Sequence, residues 1–370
     1  VSGSRIALVH ERLTEIAGSE HVVEQLAVEW PDAQLRVPIS DPDAVVDVLR
    51  GRVDVSRLDA VHRMIGRRTY APLLPLVPTA LRRSSFADVD AVVISHHAFA
   101  VSAAHAAGDI PTIAYVHSPA RWAWDREMRA GEASGPAGRT ALAALAAVAR
   151  RAESGAAPRL TAVVANSTEV ATRIERWWGR EAVVIHPPVD TERFTVDPGA
   201  TRGDFFLLAG RLVPYKRPDL AVRAARLAGV RLVVAGSGRW QALCESLAGP
   251  ETTFLGRVDD AEMTRLQQTA RALVMPGVED FGIVPVEAMA SGTPVIALAD
   301  GGALDTVVPG VSGVLVPGGS DDEVVARLAE AMASFDDGAL DPAGIARHAD
   351  MFSRSTFRRS MRTLVDSVAR

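Results

Sequence analysis

The sequence predicts an α/β protein built from two doubly wound, parallel-sheet domains that face a cleft. Three observations carry this. Short apolar runs alternate with longer amphipathic stretches along the whole chain, the pattern of repeated βαβ units. At 370 residues the chain is long for one hydrophobic core and suits two of similar size. Paired prolines in Ile185-His-Pro-Pro-Val-Asp190 forbid regular structure near the middle, and a polar stretch to Gly203 follows.

In order, the strand candidates of the first half are Ile6–Val9, Leu35–Val37, Ala91–Ile94, Thr112–Val116 and Ala162–Val164. Those of the second half are Phe205–Leu208, Arg231–Ala235, Thr253–Leu255, Ala272–Met275, Val295–Leu298 and Gly313–Val316. Glu20–Glu29 and Asp219–Ala228 are examples of the helical stretches between them. The alanine-rich run Ala141–Ala149, followed by Arg150 and Arg151, reads as a buried helix, and Phe352–Arg370 as an amphipathic one. The expected domains are 1–185 and 186–351. Ligands of such sheets lie beyond the carboxyl ends of the strands, so residues just after each strand matter most.

Composition narrows the function. Hydrophobic residues make up 48% of the chain, enough for packed interiors. A net charge of -5 argues against a nucleic-acid binder. The single cysteine, Cys244, permits no intramolecular disulfide and no zinc cluster of its own, and reads as a small core residue in a reducing compartment. No apolar run approaches the roughly 20 residues that span a bilayer. A strand beginning at Arg5-Ile-Ala-Leu-Val9 leaves no room for a leader peptide, so a cytoplasmic protein is expected.

The most informative stretch is Glu279-Asp-Phe-Gly-Ile-Val-Pro-Val-Glu287, continuing into Ala-Met-Ala-Ser-Gly-Thr-Pro294. Pro276-Gly277 ends the preceding strand, Pro285 suits the first turn of a helix, and Gly292 fits the left-handed residue just past its end. The backbone N–H groups of Phe281, Gly282 and Ile283 then lie at a helix N-terminus, where anions bind readily. Glu279 sits on the loop, and Glu287 lies within the helix. Taken alone, either glutamate is equally well a residue favoured by the helix dipole.

A second basic loop, Ala209-Gly-Arg-Leu-Val-Pro-Tyr-Lys-Arg-Pro-Asp219, follows Phe205-Phe-Leu-Leu208. Gly210 allows a close turn, and Arg211 and Lys216 place two cations at the carboxyl end of a strand. Such cations can neutralise a departing diphosphate. A solvated basic loop before a helix is the plainer interpretation of the loop in isolation.

The two motifs together resemble those of the retaining, GT-B-type glycosyltransferases of family 4, namely E-x7-E at 279–287 and G-R-L-x-x-x-K at 210–216. The resemblance extends over essentially the whole chain. It implies a GT-B fold of two Rossmann-like domains, the final helix 352–370 crossing back to the first. It implies transfer of a sugar from a nucleotide-diphosphate donor with retention, without a metal or other cofactor. Arg211, Lys216 and the amides after Asp280 would stabilise the diphosphate, Glu279 would hold the sugar hydroxyls, and Glu287 the ribose.

In the first half, the strand Thr112–Val116 ends in His117-Ser-Pro-Ala-Arg121-Trp122-Ala-Trp124-Asp125. The resemblance implies that His117 contacts the donor sugar. The residues after it resemble the subset of the family that uses GDP-mannose for surface polysaccharides or lipid-linked glycans. A UDP-glucose or UDP-N-acetylglucosamine donor, or a GT-B nucleotide-sugar epimerase, is the alternative. Arg121, Trp122 and Trp124 are acceptor-side candidates, with packing of the domain wall as the other reading of the tryptophans. Ala17-Gly18-Ser-Glu20 is similar to the family's glycine-rich loop beside the donor phosphates, which points to Gly18, although Ala17 or Ser19 stands where a second glycine is usual. Phe254-Leu-Gly-Arg257-Val258 resembles the segment that reads the donor base.

Val233-Val-Ala-Gly-Ser-Gly238 lacks the third glycine of a dinucleotide fingerprint, so no nicotinamide cofactor is expected. Asp41-Pro-Asp43 reads as a helix cap, and Asp88-Val-Asp90 precedes its strand, so neither D-x-D tripeptide suggests a metal site. The stretch 62–83 mixes arginines with apolar residues. It suits either peripheral contact with an anionic membrane or a solvated helix pair.

Overall fold

The computed structural model describes residues 4–130, 133 and 135–369. The chain divides into two compact units, one of residues 1–188 with 357–370 and the other of residues 189–356.

The first unit is a seven-stranded parallel sheet. Its strands are β1 (Ile6–His10), β2 (Gln34–Val37), β3 (Val53–Val55), β4 (Ala91–His96), β5 (Thr112–Val116), β6 (Ala162–Ala165) and β7 (Val183–Val184), in the spatial order β3-β2-β1-β4-β5-β6-β7. Alternation along β1 shows why helices cover both faces. Ala7 and Val9 enter one buried cluster with Val92 and Ile94, while Ile6 and Leu8 enter another with Val93 and Tyr115. The helix Gly18–Glu29 covers the second face, and the last helix, Arg354–Val368, packs Phe357, Met361 and Val365 into the same cluster.

The second unit repeats the plan with six parallel strands. They are β8 (Phe205–Ala209), β9 (Arg231–Ala235), β10 (Thr252–Gly256), β11 (Leu273–Met275), β12 (Val295–Leu298) and β13 (Gly313–Val316), ordered β10-β9-β8-β11-β12-β13. Phe206, Leu208, Val234 and Ile296 point to one face, and Leu207, Val233, Leu273 and Val295 to the other.

In both sheets the strand order reverses beside the first strand, between β1 and β4 and between β8 and β11. At such a reversal the flanking loops turn apart and leave a crevice at the carboxyl ends.

Three readings are corrected. The helix Gly135–Ala156 is exposed along most of its first half, and Ala146, Ala149, Ala152, Glu153 and Ala156 are its buried residues. Alanine is a strong helix former whether or not it is buried, so composition overstated the burial. Asp41 makes no side-chain bond to cap the turn Pro42–Ala44. Its carboxylate accepts from Arg67 Nη1 at 2.8 Å instead. Edge strands β3 and β7 were not anticipated. Each is only two or three residues long and largely exposed, too short to stand out as a strand-length run in the sequence.

Cys244 is fully buried, and burial pushes its thiol up to about 11. Residues 62–83 form short helical pieces, including the end of Arg57–Met64, Ala71–Leu76 and Val77–Leu81, with Met64 and Leu76 exposed. No helix among the described residues is long and apolar enough to cross a membrane.

Candidate functional site

In the second unit the chemistry gathers at the β8/β11 reversal. After β8 the backbone turns at Gly210, whose φ is +124°, and runs through Arg211 to a short 3-10 turn, Pro214–Lys216. Arg217 closes the turn at φ +49° and is anchored by Asp219 and Asp321, with Nη2–Oδ2 distances of 3.0 and 2.6 Å. These contacts raise its pKa further.

Lys216 Nζ donates to Glu279 Oε1, joining the loop after β8 to the loop after β11. Gly210, Arg211, Lys216, Met275, Pro276 and Glu279 line one concavity with Val284 and Pro285. Arg211 is exposed, and its Nη2 donates to the hydroxyl of Tyr215 at 3.1 Å.

Glycines let these loops approach backbone to backbone. A Cβ on Gly277 would lie 2.5 Å from the Lys216 carbonyl oxygen, and one on Gly236 only 1.9 Å from that of Gly210. The β8, β9 and β11 loops are thus fitted to one another without side chains in between.

Past Glu279, Gly282 at φ +91° is the N-cap of the helix Ile283–Ala290. This puts Phe281, Gly282 and Ile283 at its N-terminus, with Phe281 buried. Glu287 lies in the body of the helix and is half-buried. Burial pushes its carboxyl up to about 7 against the pull of Arg193 and the nearby Gln267, with Asp190 and Asp260 reinforcing the rise. Gln267 itself is fully buried, and its amide makes no well-formed hydrogen bond. Glu287 faces these groups and is not among the residues lining the concavity at Lys216. Arg257 and Val258 follow β10, where Arg257 Nε donates to Ser237 Oγ at 3.2 Å.

In the first unit the β1/β4 reversal carries a buried polar network. His10 ends β1 and Glu11 follows it, Ser95 and His96 end β4 and His97 follows it, and His117 follows β5. Ser95 Oγ lies 3.0 Å from His10 Nδ1 and 2.8 Å from His117 Nε2. His10 Nε2 lies 3.1 Å from Glu20 Oε1, on the first turn of the helix that starts at Gly18. Glu20 also accepts from Ala17 N at 3.0 Å and Ser19 Oγ at 2.9 Å.

Burial lowers the pKa of His117 well below the usual histidine range, and that of His97 to about 4. Both rings are neutral near neutrality. Glu11 accepts the consecutive amides of His97, Ala98, Phe99 and Ala100, at 3.4 Å from His97, 3.2 Å from Ala98 and 3.1 Å from Ala100. Burial opposes its charge, but His97, His96, Arg12 and the Ala100 amide outweigh burial and hold its carboxyl at about 2.

A prediction follows from the sign of that shift. A carboxyl depressed from 4.5 to about 2 on folding contributes stability that is complete above the unfolded value and lost as the pH falls through the folded one. The loss for Glu11 amounts to about 3 kcal/mol. Urea melts at a series of pH values should show that loss, and Glu11→Gln should make the acid slope shallower, with Glu20, His97 and His117 contributing other parts of it. Glu20 is likewise held at about 2, with His10 and Ser19 outweighing burial. An unchanged slope in Glu11→Gln would refute the assignment.

The structure therefore brings Gly210, Arg211, Lys216 and Glu279 together, while Glu287 lies further along the helix beside Gln267. Trp122 packs edge-on to Phe99, and Trp124 stacks on Trp177 while its Nε1 donates to the buried Glu153. Of the two readings of Trp124, wall packing has the visible contacts. Arg121 starts the same short helix, Arg121–Trp124. Tyr215, Ser95, His10, Glu20 and Glu11 were not singled out from sequence. His10, Glu11 and Ser95 carried the same signal as His117, a polar residue at the carboxyl end of a buried strand. Among the described residues no group of three or more His, Cys, Asp or Glu side chains is placed to hold a metal ion.

Comparison with known proteins places these features in context. Residues 16–193 match the family described as Glycosyltransferase Family 4, and residues 191–336 match Glycosyl transferases group 1. A D-inositol 3-phosphate glycosyltransferase of Mycobacterium marinum is 37% identical over 195 residues, covering 46% of this chain and 41% of the relative. The match thus spans about two fifths of that relative's length. Among solved structures, HepE of Anabaena in complex with UDP and glucose superposes with a TM-score of 0.70 at 19% identity, covering 98% of this chain and 100% of that one. Sucrose-phosphate synthase of Thermosynechococcus elongatus gives a TM-score of 0.69 at 18% identity, covering 99% of each.

Proposed function

Since the chain belongs to the GT-B glycosyltransferases of group 1 and family 4, we propose that it is a retaining hexosyltransferase that takes a sugar from a nucleotide-diphosphate donor. The observation that carries this is the concavity at the β8/β11 reversal, where Gly210, Arg211, Lys216 and Glu279 converge.

Cleavage of the donor leaves a nucleoside diphosphate with one more negative charge than before. Arg211, Lys216 and the N-terminus of the helix Ile283–Ala290 stabilise that charge without a metal. Glu279 accepts sugar hydroxyls while paired with Lys216, Glu287 accepts the ribose hydroxyls, and the backbone at Arg257 and Val258 reads the base. His117 contacts the sugar, and Gly18 lets the loop before its helix come close to the phosphates. The mechanism we propose is not a double displacement of the glycosidase kind, which needs two carboxylates flanking the sugar. Attack beside the leaving phosphate fits better.

The donor proposed is GDP-mannose, on the strength of His117–Asp125, with a lipid-linked or glycan acceptor approaching Arg121 and Trp122. The exposed apolar residues of 62–83, beside Arg63, Arg67 and Arg68, suit contact with an anionic membrane from the cytoplasmic side. A UDP-sugar donor is the second reading, favoured by the UDP-bound neighbour. The name of the relative suggests a phosphorylated polyol as acceptor for that reading.

Calorimetry with GDP, UDP, GDP-mannose and UDP-glucose in excess EDTA tests both parts. Tighter binding of the guanosine pair, with turnover that survives chelation, is expected. Preference for the uridine pair overturns the donor, and activity that requires added magnesium or manganese overturns the metal-free mechanism. Slow turnover of donor to an epimer without any acceptor overturns the transferase reading itself.

A further inference from the structure

We propose that Glu20, His10 and Ser95 are positioning residues that hold His117 in the tautomer protonated on Nε2, so that its Nδ1 lone pair meets the bound sugar as a hydrogen-bond acceptor. The inference rests on the reading that His117 touches a sugar hydroxyl.

The direction of the chain follows from its charged end. An ionised carboxylate has no proton to give, so His10 Nε2 donates to Glu20 across 3.1 Å. Where His10 carries a single ring proton, its Nδ1 offers only a lone pair, and the Ser95 hydroxyl donates to it across 3.0 Å. With its one proton committed, Ser95 Oγ accepts, and Nε2–H of His117 donates to it across 2.8 Å. Nδ1 of His117, which has no hydrogen-bond partner among the described residues, is left unprotonated. Every member but His117 is buried, so water does not compete for these bonds.

The orientation is not set by His117 alone. A doubly protonated His10 would donate from Nδ1 to Ser95, whose proton would turn to His117 Nε2 and move the His117 proton to Nδ1. The titratable groups around His117 are His10 and Glu11 from β1, His96 and His97 from β4, Tyr115 from β5, and Glu20 from the helix. Of these, Glu20 is the one in contact with His10 at the end of the chain, and as a pure acceptor it keeps a ring proton of His10 on Nε2.

The consequence is a demand on the donor. An acceptor at Nδ1 needs a sugar hydroxyl that donates. A deoxyfluoro sugar at that position cannot donate and leaves the nitrogen unpaired. Glu20 also accepts from Ala17 and Ser19, so the same carboxylate that orients His117 shapes the loop at Gly18.

Glu20→Gln is the discriminating variant. The Ala17 amide and Ser19 hydroxyl keep facing an oxygen, so the new amide NH2 faces His10 and drives the chain backwards. Two-bond proton–nitrogen spectra of ligand-free, histidine-15N-labelled protein near pH 8 report the tautomer, and His117→Gln identifies the signal. The Nε2–H pattern is expected in the native chain, and the Nδ1–H pattern in Glu20→Gln. Ser95→Ala should lose the single pattern, and Ser95→Thr should restore it. Turnover should fall about 10- to 100-fold in Glu20→Gln and Ser95→Ala, mostly in kcat. An Nδ1–H tautomer in the native chain overturns the proposal, as does the native pattern persisting in Glu20→Gln. A tautomer that reverses while turnover stays the same leaves the chain intact and overturns the contact of His117 with sugar.

Discussion

Lys216→Ala is expected to lower turnover by about 100- to 1,000-fold, or roughly 3–4 kcal/mol of transition-state stabilisation, the scale of a lost charge-stabilising donor. Lys216 stands at the carboxyl end of β8 with its Nζ on Glu279, and its side chain is 17% exposed. In that setting its field is less screened by water than on an open surface. In the proposed reaction the charge facing it would grow as the diphosphate departs, so the loss should fall on kcat more than on KM. Removing it also frees Glu279, which becomes an unneutralised carboxylate facing an anionic leaving group. Fold stability should change by only about 1 kcal/mol, because a partly solvated ion pair contributes little. Steady-state rates on the donor identified by calorimetry, read beside the melting temperature, check this. Near-native kcat in a folded Lys216→Ala protein would remove Lys216 from the mechanism.

Gly236→Ala is expected to destabilise the chain by about 3 kcal/mol and to abolish most activity. The backbone at Gly236 has φ +146°, which side-chain-bearing residues rarely adopt, and its added Cβ would sit 1.9 Å from the Gly210 carbonyl oxygen. The obstacle is backbone, not a side chain that can swing away. The loop after β9 must therefore move off the loop after β8, and Gly210, Arg211 and Lys216 move with it. Gly229→Ala is the control. It also has positive φ, +65°, but a Cβ there meets nothing within 4 Å. It should cost only about 1 kcal/mol and leave kcat unchanged. Equal melting temperatures for the two variants would show that the loop contact is not what holds the site.

The two-sheet architecture was legible because it rests on local signals. The runs at 112–116, 231–235, 295–298 and 313–316 coincide with β5, β9, β12 and β13 to the residue. Each is a short apolar run bounded by turn residues, and in β5 and β12 burial on both faces leaves no polar alternation to confuse it. The punctuation at Pro285 and Gly292 marked the helix Ile283–Ala290 for the same reason, since both residues restrict or permit φ whatever surrounds them. Edge strands β3 and β7 were too short to stand out as runs, and the alanine run at 141–149 carried a signal for helix but none for burial.

Local pattern marks the order of strands and helices along the chain and the residue types at the carboxyl ends of β8 and β11. Tertiary structure alone decided which of them meet. Lys216 and Glu279 are 63 residues apart and pair because β11 lies beside β8 at the reversal. Ser95 is an unremarked serine until β4 is set between β1 and β5, which puts its hydroxyl within reach of His10 and His117 together. The environment that lifts Glu287 to about 7 and lowers Glu11 to about 2 likewise comes from segments distant in sequence. Local pattern encodes periodicity and backbone preference. Hydrogen bonding and desolvation depend on what lies a few ångströms away in space, and only the folded sheet sets that.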